Sequence, residues 1–234
     1  MSQKYLVKLS GEALGQEGRL FDAAKFDAAA RAIMAITGDG SKAAVVIGGG
    51  NLWRGRTGVS SDMDPVTADQ MGMVGTLMNA LMMKDALERA GAKAAVMSAF
   101  EAPRFCETYT QRGAMRAWDE GRVIVFAGGT GHPFFSTDTG AALRAIELRV
   151  DTILLAKNID GVYDKDPAAH PDAVFLPDLT YDDAIHNNLG VMDMTALVML
   201  KQNKIPRVRV FALNAPDSIV RAARGEAFGS VIHL

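Results

Sequence analysis

Short runs of apolar and β-branched residues alternate along the chain with longer segments of helical period. The runs that read as buried strands are Tyr5–Leu9, Ala43–Ile47, Lys93–Met97, Arg122–Phe126, Thr152–Ala156, Val208–Ala212 and Ser230–Ile232. Between them lie helical patterns at Ala23–Ile36, Val66–Ala90, Tyr109–Glu120, Thr137–Leu148, Tyr181–His186, Met194–Asn203 and Asp217–Arg224. Strand–helix alternation with strands apolar on both faces predicts an α/β fold with a mainly parallel sheet. Two helix starts carry caps: Asp22 precedes Ala23, and Thr180 precedes a segment whose first turn holds Asp183. No Ser/Gly linker, low-complexity stretch or internal repeat divides the chain, so one compact unit is expected.

The helix at Val66–Ala90 is the most unusual segment. Met71, Val74, Met78, Leu81 and Met82 recur at helical spacing, while Met73, Leu77 and Met83 add apolar character on other faces. A helix apolar on more than one side is either a core helix or one that meets another subunit, and the pattern leaves both open. Asn79 in its middle needs a polar partner.

Composition narrows the function classes. Of 234 residues, 49% are apolar and 22% charged, the balance of a folded globular chain. A net charge of −2 excludes a strongly basic binder of nucleic-acid polymers or membrane surfaces as the default, and leaves room for a small acidic ligand held by local donors. The single cysteine, Cys106, excludes an internal disulfide framework and a multi-cysteine metal site; it suits a reducing compartment. The opening Met-Ser-Gln-Lys has no apolar signal core and no run of roughly 18 apolar residues occurs, so a cytoplasmic protein is expected. Glycine is in excess, with 23 residues.

Those glycines gather where ligands bind in open parallel sheets, beyond the carboxyl ends of strands. Lys8-Leu9-Ser10-Gly11-Glu12 follows the first strand and offers an ammonium, a hydroxyl and bare amides; alone it also fits a solvated turn. Gly48-Gly49-Gly50-Asn51-Leu52-Trp53-Arg54-Gly55 follows the second. Three successive glycines exceed what a turn requires, and Arg54 can fork onto phosphate oxygens. Gly128 to Asp138 sets glycines and hydroxyls before Phe134 and Phe135, and then opens a helix with Ser136, Thr137 and Asp138. That order suits an anionic ligand with a flat ring, although the two phenylalanines fit the core equally and His132 fits an ordinary loop. Lys157-Asn158-Ile159-Asp160-Gly161-Val162-Tyr163, continuing to Asp166-Pro167, reads by itself as a surface loop. Neither a P-loop nor a dinucleotide fingerprint is present, and the histidines are too scattered for a metal site, so no protein-held metal is expected.

In this order the clusters resemble the bacterial uridylate kinases of the amino-acid kinase superfamily. The resemblance also takes in Ala68-Asp69-Gln70-Met71-Gly72-Met73, Met78-Asn79-Ala80-Leu81 and Val191-Met192-Asp193, and so runs over nearly the whole chain. It implies a three-layer αβα sandwich. It implies one bilobal domain over residues 1–234, with an N-terminal lobe of about residues 1–150 for the acceptor and a C-terminal lobe of about 151–234 for the donor. The implied reaction moves a phosphoryl group from ATP, which carries its own Mg²⁺, to UMP. Carried over residue by residue, Lys8, Leu9, Ser10, Gly11, Gly50 and Arg54 fall on the ATP phosphates. Lys157, Asn158, Tyr163 and Asp166 fall around adenine and ribose. Gly49, Asp69, Thr130, Gly131, His132, Pro133, Phe134, Phe135, Ser136 and Thr137 fall on UMP. Many relatives carry Asn at the position of His132.

By the same resemblance Lys8 and Arg54 stabilise charge on the transferred group, Asp138 orients Lys8, and the chain assembles as a hexamer. The competing readings are another kinase of the superfamily, acting on carbamate, acetylglutamate or aspartate, and a non-catalytic nucleotide-binding or storage protein of the same fold.

Overall fold

The computed structural model describes residues 2–15, 19–53, 63–215 and 217–234; Arg54 and Gly55 lie outside them. The elements run β1 (Lys4–Leu9), α1 (Gly11–Leu14), α2 (Ala23–Thr37), β2 (Lys42–Ile47), α3 (Pro65–Arg89), β3 (Lys93–Ser98), β4 (Glu107–Thr108), α4 (Gln111–Asp119), β5 (Arg122–Ala127) and α5 (Thr137–Leu148). They continue with β6 (Thr152–Lys157), β7 (Val162–Tyr163), β8 (Phe175–Leu176), β9 (Asp178–Thr180), α6 (Tyr181–His186), α7 (Met194–Gln202), β10 (Arg207–Ala212), α8 (Ser218–Ala223) and β11 (Ser230–His233).

The described strands form a nine-stranded sheet in the order β4-β3-β5-β2-β1-β6-β10-β11-β9, with β7 and β8 as a separate hairpin. Within the large sheet the β10–β11 pair is antiparallel and the other neighbours are parallel. On one side of β1 the chain lays down β2, then β3 and β4 farther out, then β5 in the gap between β2 and β3, before crossing to the other side of β1 with β6 and β10. The carboxyl end of β1 is therefore a topological switch point, where a crevice opens in such sheets.

Side-chain alternation divides each central strand between two cores. Leu6, Ala44, Val46, Ile153 and Leu155 face a layer of α4, α5, α6 and α7. Tyr5, Val7, Leu9, Val45, Ile47 and Leu154 face a layer of α2, α3 and α8. The sandwich thus has three layers. Among the described residues no helix is long and apolar enough to cross a membrane.

The helix predicted at Tyr109–Glu120 begins two residues later. Thr110 takes the N-cap position by accepting from Gly113 N–H at 3.1 Å, while Glu107 and Thr108 join the sheet edge beside Met97 and Ser98. The caps at Asp22 and Thr180 are present, the latter as a reciprocal capping box with Asp183. The two readings of the methionine-rich helix both describe part of α3. Leu77, Ala80, Met83 and Leu87 are buried in the core, whereas Met71, Val74 and Met78 are exposed and line an apolar groove with Leu52 and Trp53.

Trp118 of α4 is buried, and its indole N–H donates to Ala43 O of β2 at 3.0 Å, which ties this helix to the sheet. Trp118→Ala is expected to cost about 3–5 kcal/mol of stability, measured by urea unfolding with an unchanged m-value. A loss within experimental error would show that α4 is not held this way.

Candidate active site

At the switch point the strands deliver charge. Lys8 stands in β1 between Val46 and Leu155 and is buried. Its ammonium lies 2.5 Å from Asp138 Oδ1, an ion contact rather than an aligned hydrogen bond. Asp138 occupies the first turn of α5, where the partial positive charge of the helix end favours a carboxylate. Lys157 closes β6 next to β1, and its ammonium donates to Val191 O at 2.5 Å. Burial lowers the Lys157 pKa; the nearby Asp138 charge acts against this and the Lys8 charge adds to it. Lys8, Asp138 and Lys157 therefore form one electrostatic cluster of two cations about one anion.

Glycine turns surround the cluster. Ser10 N–H donates to Ala156 O, and Gly48 N–H to Leu9 O, so the turns after β1 and β2 grow directly out of the sheet. A Cβ on Gly11 would lie 2.1 Å from Gly48 O, so only glycine lets the two turns meet. Leu9 itself is fully buried, and its carbonyl is the one that accepts from Gly48 N–H. Gly128 has φ +80, and its N–H donates to Thr76 Oγ1 of α3 at 2.8 Å.

The acceptor-side residues converge. Gly49, Asp69, Thr130, His132, Phe135 and Thr137 line one cavity together with Gly50, Trp53, Gly128 and Gly129. Asp69 of α3 accepts from Phe134 N–H at 2.7 Å, which pins the loop across the cavity mouth. Phe134 and Phe135 are 65% and 53% exposed, so neither is a core residue. Gly131 closes a turn on Gly128 O, Thr130 Oγ1 accepts from His132 N–H, and Pro133 lies half-buried between them and Phe134.

The start of α5 is fixed by Asp193, to which the sequence reading gave no role. Ser136 caps the helix, accepting from Asp138 and Thr139 N–H, and donates its own hydroxyl to Asp193. Thr139 donates to Asp193 at 2.9 Å, and Asp193 caps α7 through Ala196 N–H. One carboxylate thus joins α5 to α7. Asp193 closes the Val191-Met192-Asp193 segment, the sole sequence signal for it. Farther along α5, the Arg144 guanidinium lies 3.8 Å over the Tyr109 ring and pairs with Glu147.

The residues read around adenine and ribose do not all gather. Lys157 belongs to the charged cluster, whereas Asn158 lines a cleft between α2 and α8 with Glu12 and Asn214. Tyr163 and Asp166 lie on the β7–β8 hairpin and the turn after β7. The Tyr163 hydroxyl donates to Asp160, which raises its pKa, and Asp166 accepts from Ala168 N–H. Among the described residues no three His, Cys, Asp or Glu side chains converge on a metal position.

The amino acid kinase family model matches residues 3–211. A uridylate kinase from Xanthomonas oryzae pv. oryzae is 45% identical over 231 residues, covering 98% of this chain and 96% of that protein. The crystal structure of a UMP kinase from Ureaplasma parvum superimposes with a TM-score of 0.93 at 34% identity, covering 100% of both chains. That of a UMP kinase from Bacillus anthracis gives a TM-score of 0.93 at 34% identity, covering 99% of this chain and 96% of that one. The uridylate kinase of Archaeoglobus fulgidus is more distant, with a TM-score of 0.77 at 27% identity over 98% and 99% of the chains. With the glycine turns, the Lys8–Asp138 pair and the Asp69 cavity arranged as described, the chain belongs to the amino acid kinase family and, within it, to the uridylate kinases.

Proposed function

We propose that this chain transfers the γ-phosphoryl group of MgATP to UMP, releasing UDP and ADP. The observation that carries the reading is the Lys8–Asp138–Lys157 cluster, set between two glycine turns and beside the Asp69 cavity. An oxygen of the UMP phosphate attacks the γ-phosphorus as the bond to the β–γ bridging oxygen breaks. That oxygen is already ionised at neutral pH, so no protein base is required, and catalysis is positioning with charge neutralisation.

Lys8 and Arg54 stabilise charge on the transferring group. Asp138 keeps Lys8 in place through an ion contact that leaves the ammonium's N–H donors to the phosphates. Lys157 joins them on the phosphates, a different role from the adenine contact first expected. The amides of Gly49 and Gly50 and the turn at Ser10–Gly11 hold acceptor and donor phosphates, Asp69 takes the ribose hydroxyls of UMP, and Phe135 with the Thr130–Thr137 loop covers the base. Tyr163 and Asp166 supply the adenine side. The N-terminal lobe thereby serves the acceptor and the C-terminal lobe the donor, in a cytoplasmic enzyme of pyrimidine nucleotide synthesis. Exposed Met71, Val74 and Met78 on α3 are the surface through which we infer the oligomer, a hexamer by resemblance, to form.

Three measurements test this reading. ADP release is expected with UMP, and not with carbamate or amino acids, and to fall by about 10²–10³ in Lys8→Ala. No turnover with any acceptor would leave the nucleotide-storage reading in its place. The lowered Lys157 pKa sets a pH dependence. Its charged form binds phosphate, so kcat/KM, which reports the free enzyme, is expected to decline with rising pH below the ordinary lysine pKa of about 10.4. Bound phosphates restore the charge, so the decline in kcat should come at higher pH, and Lys157→Arg should remove the gap; coincident limbs would rule out this role. Light scattering should give a mass well above the 25.0 kDa of one chain, lowered by Val74→Asp. A 25.0 kDa wild-type particle would remove the oligomer.

A further inference from the structure

Asn79 sits in the middle of α3 with no exposed surface, next to the buried Ala80 and close to Met83. An amide at such a position is costly unless its donors and acceptor are engaged, and here they are. Asn79 Nδ2 donates to Gly48 O at 2.7 Å and to Asn51 Oδ1 at 2.8 Å, while Asn79 Oδ1 accepts from Asn51 Nδ2 at 3.0 Å. Asn51 Nδ2 also donates to Leu20 O at 2.7 Å, which ties the segment before α2 to the same pair.

These bonds fix the direction of one peptide group. The Gly48 carbonyl points inward to α3, while the N–H groups of Gly49 and Gly50 donate to nothing among the described residues and border the acceptor cavity. The same carbonyl and the Asn51 amide are also the surfaces against which the other turn rests. A Cβ on Gly11 would meet Gly48 O at 2.1 Å and Asn51 Oδ1 at 2.8 Å. One amide pair thus sets both glycine turns against each other.

We propose that Asn79 and Asn51 act together as positioning residues for phosphoryl transfer. They hold the Gly48 peptide so that the amides after it and the Ser10–Gly11 turn keep the acceptor and donor phosphates in line. The proposal rests on the UMP kinase reading above. Asn79 is shut away from substrate and acts through the Gly48 carbonyl. Its loss therefore falls on alignment, which governs kcat, more than on affinity.

The test is a double-mutant cycle with Asn51→Ala and Asn79→Ala, each first shown to be folded by circular dichroism. Asn79→Ser replaces Asn79→Ala should the larger cavity prevent folding. Each single variant is expected to lower kcat by up to about 10² with little change in KM for UMP or ATP. The double variant should be no worse than the poorer single, because the two act as a unit. A folded Asn51→Ala enzyme with wild-type kcat, or losses that multiply in the double variant, would overturn the proposal. A purely structural pair would lower the melting temperature and leave kcat per folded molecule unchanged. Should the wild type itself show no turnover with UMP, the functional reading fails instead. The clamp is then judged by amide hydrogen exchange over residues 48–53, where faster exchange, equal in single and double variants, supports it and unchanged exchange overturns it.

Discussion

The ion contact between Lys8 and Asp138 is the constraint around which the site is organised. A lysine largely withdrawn from water would shed its proton or destabilise the fold unless an anion met it. The anion comes from α5, a helix that follows β5 on the far side of β2, so the contact spans the switch point and joins the halves of the sheet. Lys157 lies in the field of the same carboxylate, with its own ammonium bonded to the Val191 carbonyl, and adds a second cation to the site. Two phosphate groups that must approach each other during transfer repel, and fixed cations at their meeting point offset that repulsion without reorganisation.

Around this contact, polar side chains that are buried or half-buried do what backbone ladders cannot. Asp193 fixes the start of α5 and so the position of Asp138; Thr76 holds Gly128; Asn79 holds Gly48. Thr76 and Asn79 reach from α3 to turns that leave the sheet, and Asp193 reaches from the start of α7 to the start of α5. Glycine at 11 and 128 lets those turns come close, and the helices keep them from moving away. Exposed groups are confined to the mouth, where Phe134 and Phe135 face solvent and Asp69 spans to the loop above it.

Period and alternation made the fold legible. The central strands carry apolar side chains through most of their length because both faces are covered, and that pattern needs no tertiary knowledge. Glycine and hydroxyl clusters after strands marked the crevice for the same local reason. What escaped the sequence depended on strand order. Lys157 reads as the edge of a surface loop until β6 is known to lie beside β1, which brings it to Lys8 and Asp138. Asp193 enters the sequence reading only as the end of the Val191-Met192-Asp193 segment; it caps α7, and its bond to Thr139 crosses between helices and leaves no local trace. Short elements such as α1, β4 and β7 lack the length to show a period. For α3, the pattern could not tell its core face from the exposed face of Met71, Val74 and Met78, because both are apolar.

The central claim is that Asp138 keeps the lysine charge inside the protein. The direct test is the unfolding free energy of Asp138→Asn against pH, beside the wild type. Removing one partner of a buried pair is expected to cost about 3–5 kcal/mol at neutral pH. Burial lowers the Lys157 pKa and the Asp138 charge opposes that; without Asp138 the pKa falls further below its unfolded value of about 10.4, so the unfolded state binds more protons and stability rises with pH in that window. The account therefore predicts a gap between variant and wild type that is wide at pH 7 and narrows as pH approaches about 10. A variant as stable as the wild type, or a gap that stays constant with pH, would contradict it.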